Sequence, residues 1–227
     1  MPVSDRVFDA VREDILGERL FPGDAVPSER ALAERFGVNR HAVREAVKRL
    51  QQAGLVHVAQ GGATRVLPWR ESGGLELLAD LPIPDGPQGA AIVRGILEMR
   101  ESIGVDAARR CATRVPADLL AGFGALGDAV TAASPGAPRE AAYRALWSAI
   151  VDGADNLAYR LALNALLAGI DAQYALMLEL LADELADAEG VATLVAAIEG
   201  GDPDAAAAAA RRLLGVTVRV ALGRAAA

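Results

Sequence analysis

At 227 residues, with 52% hydrophobic side chains and a mean hydropathy of +0.24, the chain has enough apolar material for two modest domains. Its single cysteine, Cys111, excludes an internal disulfide framework, no apolar run approaches the roughly 20 residues of a membrane span, and no signal peptide is read before Val3, so a soluble, cytoplasmic chain is expected. The net charge of −7 is split unevenly: residues 1–70 hold 11 basic against 9 acidic side chains and the rest 12 against 21, which makes the larger part a poor partner for a polyanion.

The first predicted elements lie in residues 22–66. Ser28 precedes Glu29, Arg30 and an apolar set at Ala31, Leu32 and Phe36, the spacing of a short capped helix that stops at Gly37. A second helix is predicted over residues 39–53, with Val43, Ala46, Val47 and Leu50 recurring on one face. The opposite face carries Arg40, Arg44, Lys48 and Arg49 against Glu45, a cationic surface of the width a major groove admits. Gly54 ends this helix, and two β-prone runs at 55–59 and 63–67 flank Gln60, Gly61 and Gly62 as the strands of a hairpin wing do. A lone Arg-rich helix is more often a solvated face. Here residues 35–70 hold seven basic side chains and one acid while the remaining chain is acidic, and that concentration favours DNA.

Beyond Pro68 strand signals vanish and Ala, Leu and Glu dominate, which predicts an all-α bundle with helices near 72–81, 88–113, 116–132, 138–152, 157–186, 190–199 and 203–222. Pro82, Pro84, Gly86 and Pro87 mark one break, residues 134–138 a second, and Gly200, Gly201 and Asp202 a third. The expected fold is mainly α: a winged helix-turn-helix over residues 1–70, a junction helix and linker over 71–87, and a helical ligand-binding bundle over 88–227. An enzyme is disfavoured. There is no GxGxxG after a strand, P-loop or G-x-S-x-G elbow, and the only histidines, His41 and His57, lie in the first module. The acidic DELAD run at 183–187 reads as a solvated helix end.

The stretch with Pro22 and Gly23, the PSERALA run at 27–33 and the GVNRHAVREA run at 37–46 resembles the DNA-binding module of the GntR family of bacterial transcription regulators. Several fixed spacings agree across about sixty residues. The resemblance implies DNA contacts by Arg30, Arg40, Arg44 and the wing tip Gln60, Gly61 and Gly62. Asn39 and His41 share the first turn of the recognition helix and either read base or phosphate or, for His41, face solvent. It further implies a homodimer on a pseudo-palindromic operator, with the segment 69–81 passing changes in the bundle to the DNA-binding modules.

The segments TRVLPWRESGGLELL at 64–78 and GADNLAYRLALNALLAGI at 153–170 resemble the FadR branch of that family, whose C-terminal half is an FCD-type helical bundle. Many members of this branch hold a divalent metal through one Asp and three His. In this chain Tyr143, Trp147, Val191 and Leu213 occupy those places, so neither a metal nor another cofactor is expected. A metal-free bundle of this branch implies a long-chain acyl-CoA as effector and control of fatty-acid metabolism. Tyr143, Trp147, Tyr159, Leu163, Leu166, Tyr174, Met177, Leu213 and Thr217 are then candidate lining residues, or ordinary bundle core. The alternative is a regulator answering another metabolite without metal, or none.

Overall fold

The computed structural model describes residues 3–59 and 63–225 and divides into two units, residues 1–82 and 83–227. In the first unit, α1 (Val3–Leu16) precedes α2 (Glu29–Phe36), α3 (Arg40–Gln52) and the antiparallel pair β1 (Val56–Val58) and β2 (Thr64–Val66), in register Val56 to Val66. α1 is not among the elements predicted from the sequence. The helix buries Val7, Phe8, Val11, Ile15 and Leu16 against Leu32, Val43, Val47 and Leu50, so it completes the module's core. The strand pair also gains a third edge: Val26 N–H donates to the Thr64 carbonyl at 2.8 Å and Val66 N–H to that of Asp24 at 3.0 Å.

Local chemistry sets the turn between α2 and α3. Ser28 Oγ accepts the Ala31 N–H at 3.2 Å and Asn39 Oδ1 that of Ala42 at 2.9 Å, satisfying first-turn donors that would otherwise be orphaned. Gly37 closes α2 with φ +64°, a left-handed turn that glycine adopts without steric cost. Gly54 does the same after α3 at φ +70°, where a Cβ would stand 2.4 Å from the Ser72 carbonyl oxygen. The junction helix predicted over 72–81 forms as two shorter pieces, α4 (Trp69–Ser72) and a 3-10 turn (Leu75–Ala79), because Gly73 and Gly74 take extended backbone between them.

The second unit is a bundle of α5 (Pro87–Arg114), α6 (Ala117–Leu120), α7 (Phe123–Ala132), α8 (Ala137–Gly153), α9 (Leu157–Ala172), α10 (Tyr174–Leu180), α11 (Ala182–Ala186), α12 (Ala188–Glu199) and α13 (Pro203–Ala225). Its core joins α5, α7, α8, α12 and α13 through Ala108, Cys111, Val130, Leu146, Ile150, Val191, Leu194, Ile198, Ala210 and Leu213. The alanine run at 205–210 lies within α13, and Ala206, Ala207, Ala209 and Ala210 are buried, small enough for close helix packing.

Two further predicted helices are broken. That over 116–132 divides at Ala121 and Gly122, since glycine there weakens the helix and Gly124 N–H turns to Glu199 Oε1 at 2.9 Å. That over 157–186 divides into three: Gln173 leaves helical backbone at φ −119°, ψ 34°, and α10 departs from α9 at 103°. The bend carries Met177 and Leu180 onto Val93, Leu97, Ile170 and Ala221, a separate apolar cluster that a straight helix would not reach.

Candidate DNA interface and effector cavity

α3 presents its buried residues Val43, Ala46, Val47 and Leu50 to the module core and leaves Arg40, His41, Arg44 and Lys48 exposed. Among the described residues Arg40, His41 and Lys48 make no ion pair or hydrogen bond, so their donors are free for phosphate or base edges. Arg44 is partly committed: its Nε donates to both carboxylate oxygens of Glu29, at 2.9 and 3.3 Å, pinning α3 to the start of α2. Arg30 is three-quarters exposed and, among the described residues, has only a distant partner, Glu34 at 3.9 Å. Asn39 uses its carbonyl oxygen as the α3 cap, which leaves its amide donors outward. Arg49 belongs to a different set. It bonds Asp5 at 2.6 Å and stacks on the Phe8 ring at 4.1 Å, so it fastens α1 to α3. The predicted wing-tip contacts Gln60, Gly61 and Gly62 lie outside the described residues.

In the bundle a cavity of about 60 Å³ opens between α5, α8, α9 and α13. Ile103, Gly104, Val151, Leu163, Leu166, Leu167, Ile170, Leu181 and Leu214 make its apolar wall, and Arg100, Glu140, Tyr143, Arg144 and Trp147 its polar side. Of the predicted lining residues, Tyr143, Trp147, Leu163 and Leu166 are therefore together. The Tyr143 and Trp147 rings meet edge to face, 6.2 Å apart at 72°.

The structure places the other predicted lining residues elsewhere. Tyr159 is half-buried and donates its hydroxyl to Asp106 at 2.6 Å, which with Arg110 holds the Asp106 carboxyl below the usual carboxylate range. Leu213 is fully buried in the main core, Met177 faces the second apolar cluster, and Tyr174, just past the Gln173 bend, is exposed. Thr217 is buried behind the cavity wall, bonded to Glu184. Of the four positions aligned with a metal set, Tyr143 and Trp147 line the cavity while Val191 and Leu213 are core, and no three His, Cys, Asp or Glu side chains converge among the described residues.

Glu184 overturns the reading of the 183–187 run as a solvated helix end. It is fully buried, because the bend at Gln173 swings α11 back into the bundle. Its Oε1 accepts from Arg100 Nη2 at 2.5 Å and the Tyr143 hydroxyl at 2.7 Å, and its Oε2 from Arg100 Nη1 at 3.1 Å and Thr217 Oγ1 at 2.5 Å. Burial works against the Arg100 charge, yet the Glu184 carboxylate offsets it and holds the guanidinium firmly protonated. Burial, reinforced by Glu184, raises the Tyr143 hydroxyl well above the usual phenol range. Arg94, Arg109, Arg211, Arg212 and Arg219 are exposed, and Arg109 pairs with Asp204 at 2.6 Å.

Two family models match the chain: bacterial regulatory proteins of the gntR family over residues 3–66, and the FCD domain over residues 95–215. The HTH-type transcriptional regulator Mce2R of Mycobacterium tuberculosis is 36% identical over 93% of this chain and 88% of its own length. The fatty acid metabolism regulator protein of Vibrio cholerae is 35% identical over 91 residues, 40% of this chain and 33% of that protein. Among solved structures, that of Lar from Listeria monocytogenes covers 98% of both chains with a TM-score of 0.62 at 15% identity, a likeness of fold.

Proposed function

From the premise that the chain belongs to the GntR family, as a DNA-binding transcription regulator with an FCD domain and not an enzyme, we propose that it is a cytoplasmic, homodimeric sensor of fatty-acid status. Two copies place their α3 helices on a pseudo-palindromic operator, since half-sites on one duplex are met by two modules at fixed separation. Arg30, Asn39, Arg40, His41, Arg44 and the wing tip Gln60, Gly61 and Gly62 make the contacts. Arg40 carries the clearest support, being exposed, unpaired among the described residues and at the start of α3.

The effector in this proposal is a long-chain acyl-CoA, its tail held by Leu163, Leu166 and their neighbours beside Tyr143 and Trp147. The observation that carries it is the leucine-rich cavity wall. Each buried CH₂ stabilises such a complex by about 0.8 kcal/mol. The fatty-acid link also draws support from the Vibrio regulators, which match only a minority of the chain. At about 60 Å³ the cavity is far below the roughly 300–1,000 Å³ of a drug-sized ligand site, so in this proposal the bundle widens around it to admit the tail. That movement is the signal: the ligand shifts the module geometry by its differential affinity for the open bundle. Calorimetry on lipid-stripped protein tests this reading. Saturable binding of oleoyl-CoA with none of free CoA supports it, and absence of binding leaves a regulator of another metabolite.

A further inference from the structure

We propose a second ligand site in the bundle, built for a protonated apolar amine. It is a cavity of about 510 Å³ enclosed by the linker at 83–86, the first turns of α5, α10 and the end of α13. It shares no lining residue with the cavity beside Tyr143 and Trp147, and it stands apart from the acyl-CoA reading.

The volume falls within the roughly 300–1,000 Å³ of small-molecule sites. Ile83, Val93, Leu176, Leu180 and Ala221 form its apolar body, continuous with the cluster that the bend at Gln173 gathers around Met177. The linker wall is held in place. Pro84 and Pro87 have φ fixed by their rings, Gly86 turns the backbone at φ +91°, and the Pro84 carbonyl rests on buried Gly89, where a Cβ would collide with it. Asp85 lines the cavity from this preset loop. The polar groups then decide the ligand's charge. Asp85 and Gln173 are the polar side chains of the lining, and among the described residues neither side chain makes a hydrogen bond or ion pair. The lining holds no Lys, Arg or His, so an anion meets only a carboxylate there. An ammonium finds a counter-charge in Asp85 and a neutral acceptor in the Gln173 amide oxygen. The acidic excess of residues 71–227, 21 side chains against 12, adds long-range attraction for a cation. All lining residues but Gln173, Leu176 and Leu180 lie outside the FCD match of residues 95–215, which ties the site to this chain's linker and helix ends.

The test titrates hexylamine, hexan-1-ol and sodium hexanoate, which share one tail and differ in headgroup charge, into the full chain at pH 7.5, where the amine is protonated. The readout is the side-chain ¹⁵N–¹H₂ pair of Gln173, assigned by its loss in Gln173→Met. Hexylamine is expected to shift that pair saturably and to bind about two- to fivefold more tightly than hexanol, the worth of one partly exposed ion pair, with hexanoate weakest. Asp85→Asn, at an exposed linker position, is expected to bring hexylamine to the level of hexanol and leave hexanol unchanged. Hexanol or hexanoate binding as tightly as hexylamine overturns the proposal, and so does an Asp85→Asn variant that binds hexylamine as the parent does. A bound amine that moves the Trp147 indole signal and leaves Gln173 unmoved places it in the other cavity and overturns the proposal as well. So does the absence of saturable binding by all three probes. None of these outcomes bears on the binding of oleoyl-CoA.

Discussion

Replacing Glu184 by glutamine removes one charge from the bundle interior while keeping the side chain's size. Glu184 is fully buried and accepts from Arg100 twice, from Tyr143 and from Thr217. A glutamine retains one acceptor oxygen and turns an amide N–H₂ toward a site already filled by donors, and Arg100 is left as a buried cation with no counter-charge. Breaking a buried pair from one side costs about 3–5 kcal/mol. At roughly 2–4 °C per kcal/mol for a chain of this size, that lowers the melting temperature by about 6–20 °C. Denaturant unfolding followed by far-UV circular dichroism measures it, reading the bundle's helical signal. The double replacement Arg100→Met with Glu184→Met removes the pair without stranding either charge and is expected to recover most of the loss. A single Glu184→Gln variant within about 1 kcal/mol of the parent would refute the reasoning, because it would mean the network does not depend on the charge.

Three further expectations concern the module and the core. Arg40→Ala should cost about 1–3 kcal/mol on the specific operator and relax base preference at one position, whereas Lys48→Ala should weaken all sequences alike and lower the salt slope by about one, both read by anisotropy titration across salt concentrations. Asn39→Ala removes the α3 cap and should destabilise the module by about 1 kcal/mol, with Asn39→Asp largely sparing it; equal loss in both variants would place the effect outside the cap. Burial pushes the Cys111 thiol up to about 12, so in native protein it stays protonated at pH 8, and a thiol reagent should label it only at the rate of unfolding. Prompt labelling of native protein would contradict that burial.

What was legible in the sequence was local. The second module helix and the turn before it follow from Ser28, Gly37 and Asn39, each acting within four residues of itself, and the strands from the Val56 and Val66 runs. The signal for α1 is equally local, with Val7, Val11 and Ile15 at four-residue steps. The cavity was half legible. Tyr143 and Trp147 share one face of α8, and Leu163 and Leu166 one face of α9. The assignments fail beyond Gln173, where α9 gives way to α10 at 103° with neither proline nor glycine to announce it. Glu184 was illegible for the same reason. Its partners lie 84, 41 and 33 residues away in sequence, and only the bend makes them neighbours.

The central claim is that occupancy of the bundle controls DNA binding by the winged module. The direct measurement is the affinity of the full-length protein for an operator duplex selected from random sequence, with and without saturating oleoyl-CoA. The account predicts selection of a pseudo-palindromic site, a loss of affinity of at least about tenfold with oleoyl-CoA, equivalent to roughly 1.4 kcal/mol of coupling, and no change with free CoA. Operator affinity that stays the same with oleoyl-CoA bound would contradict it.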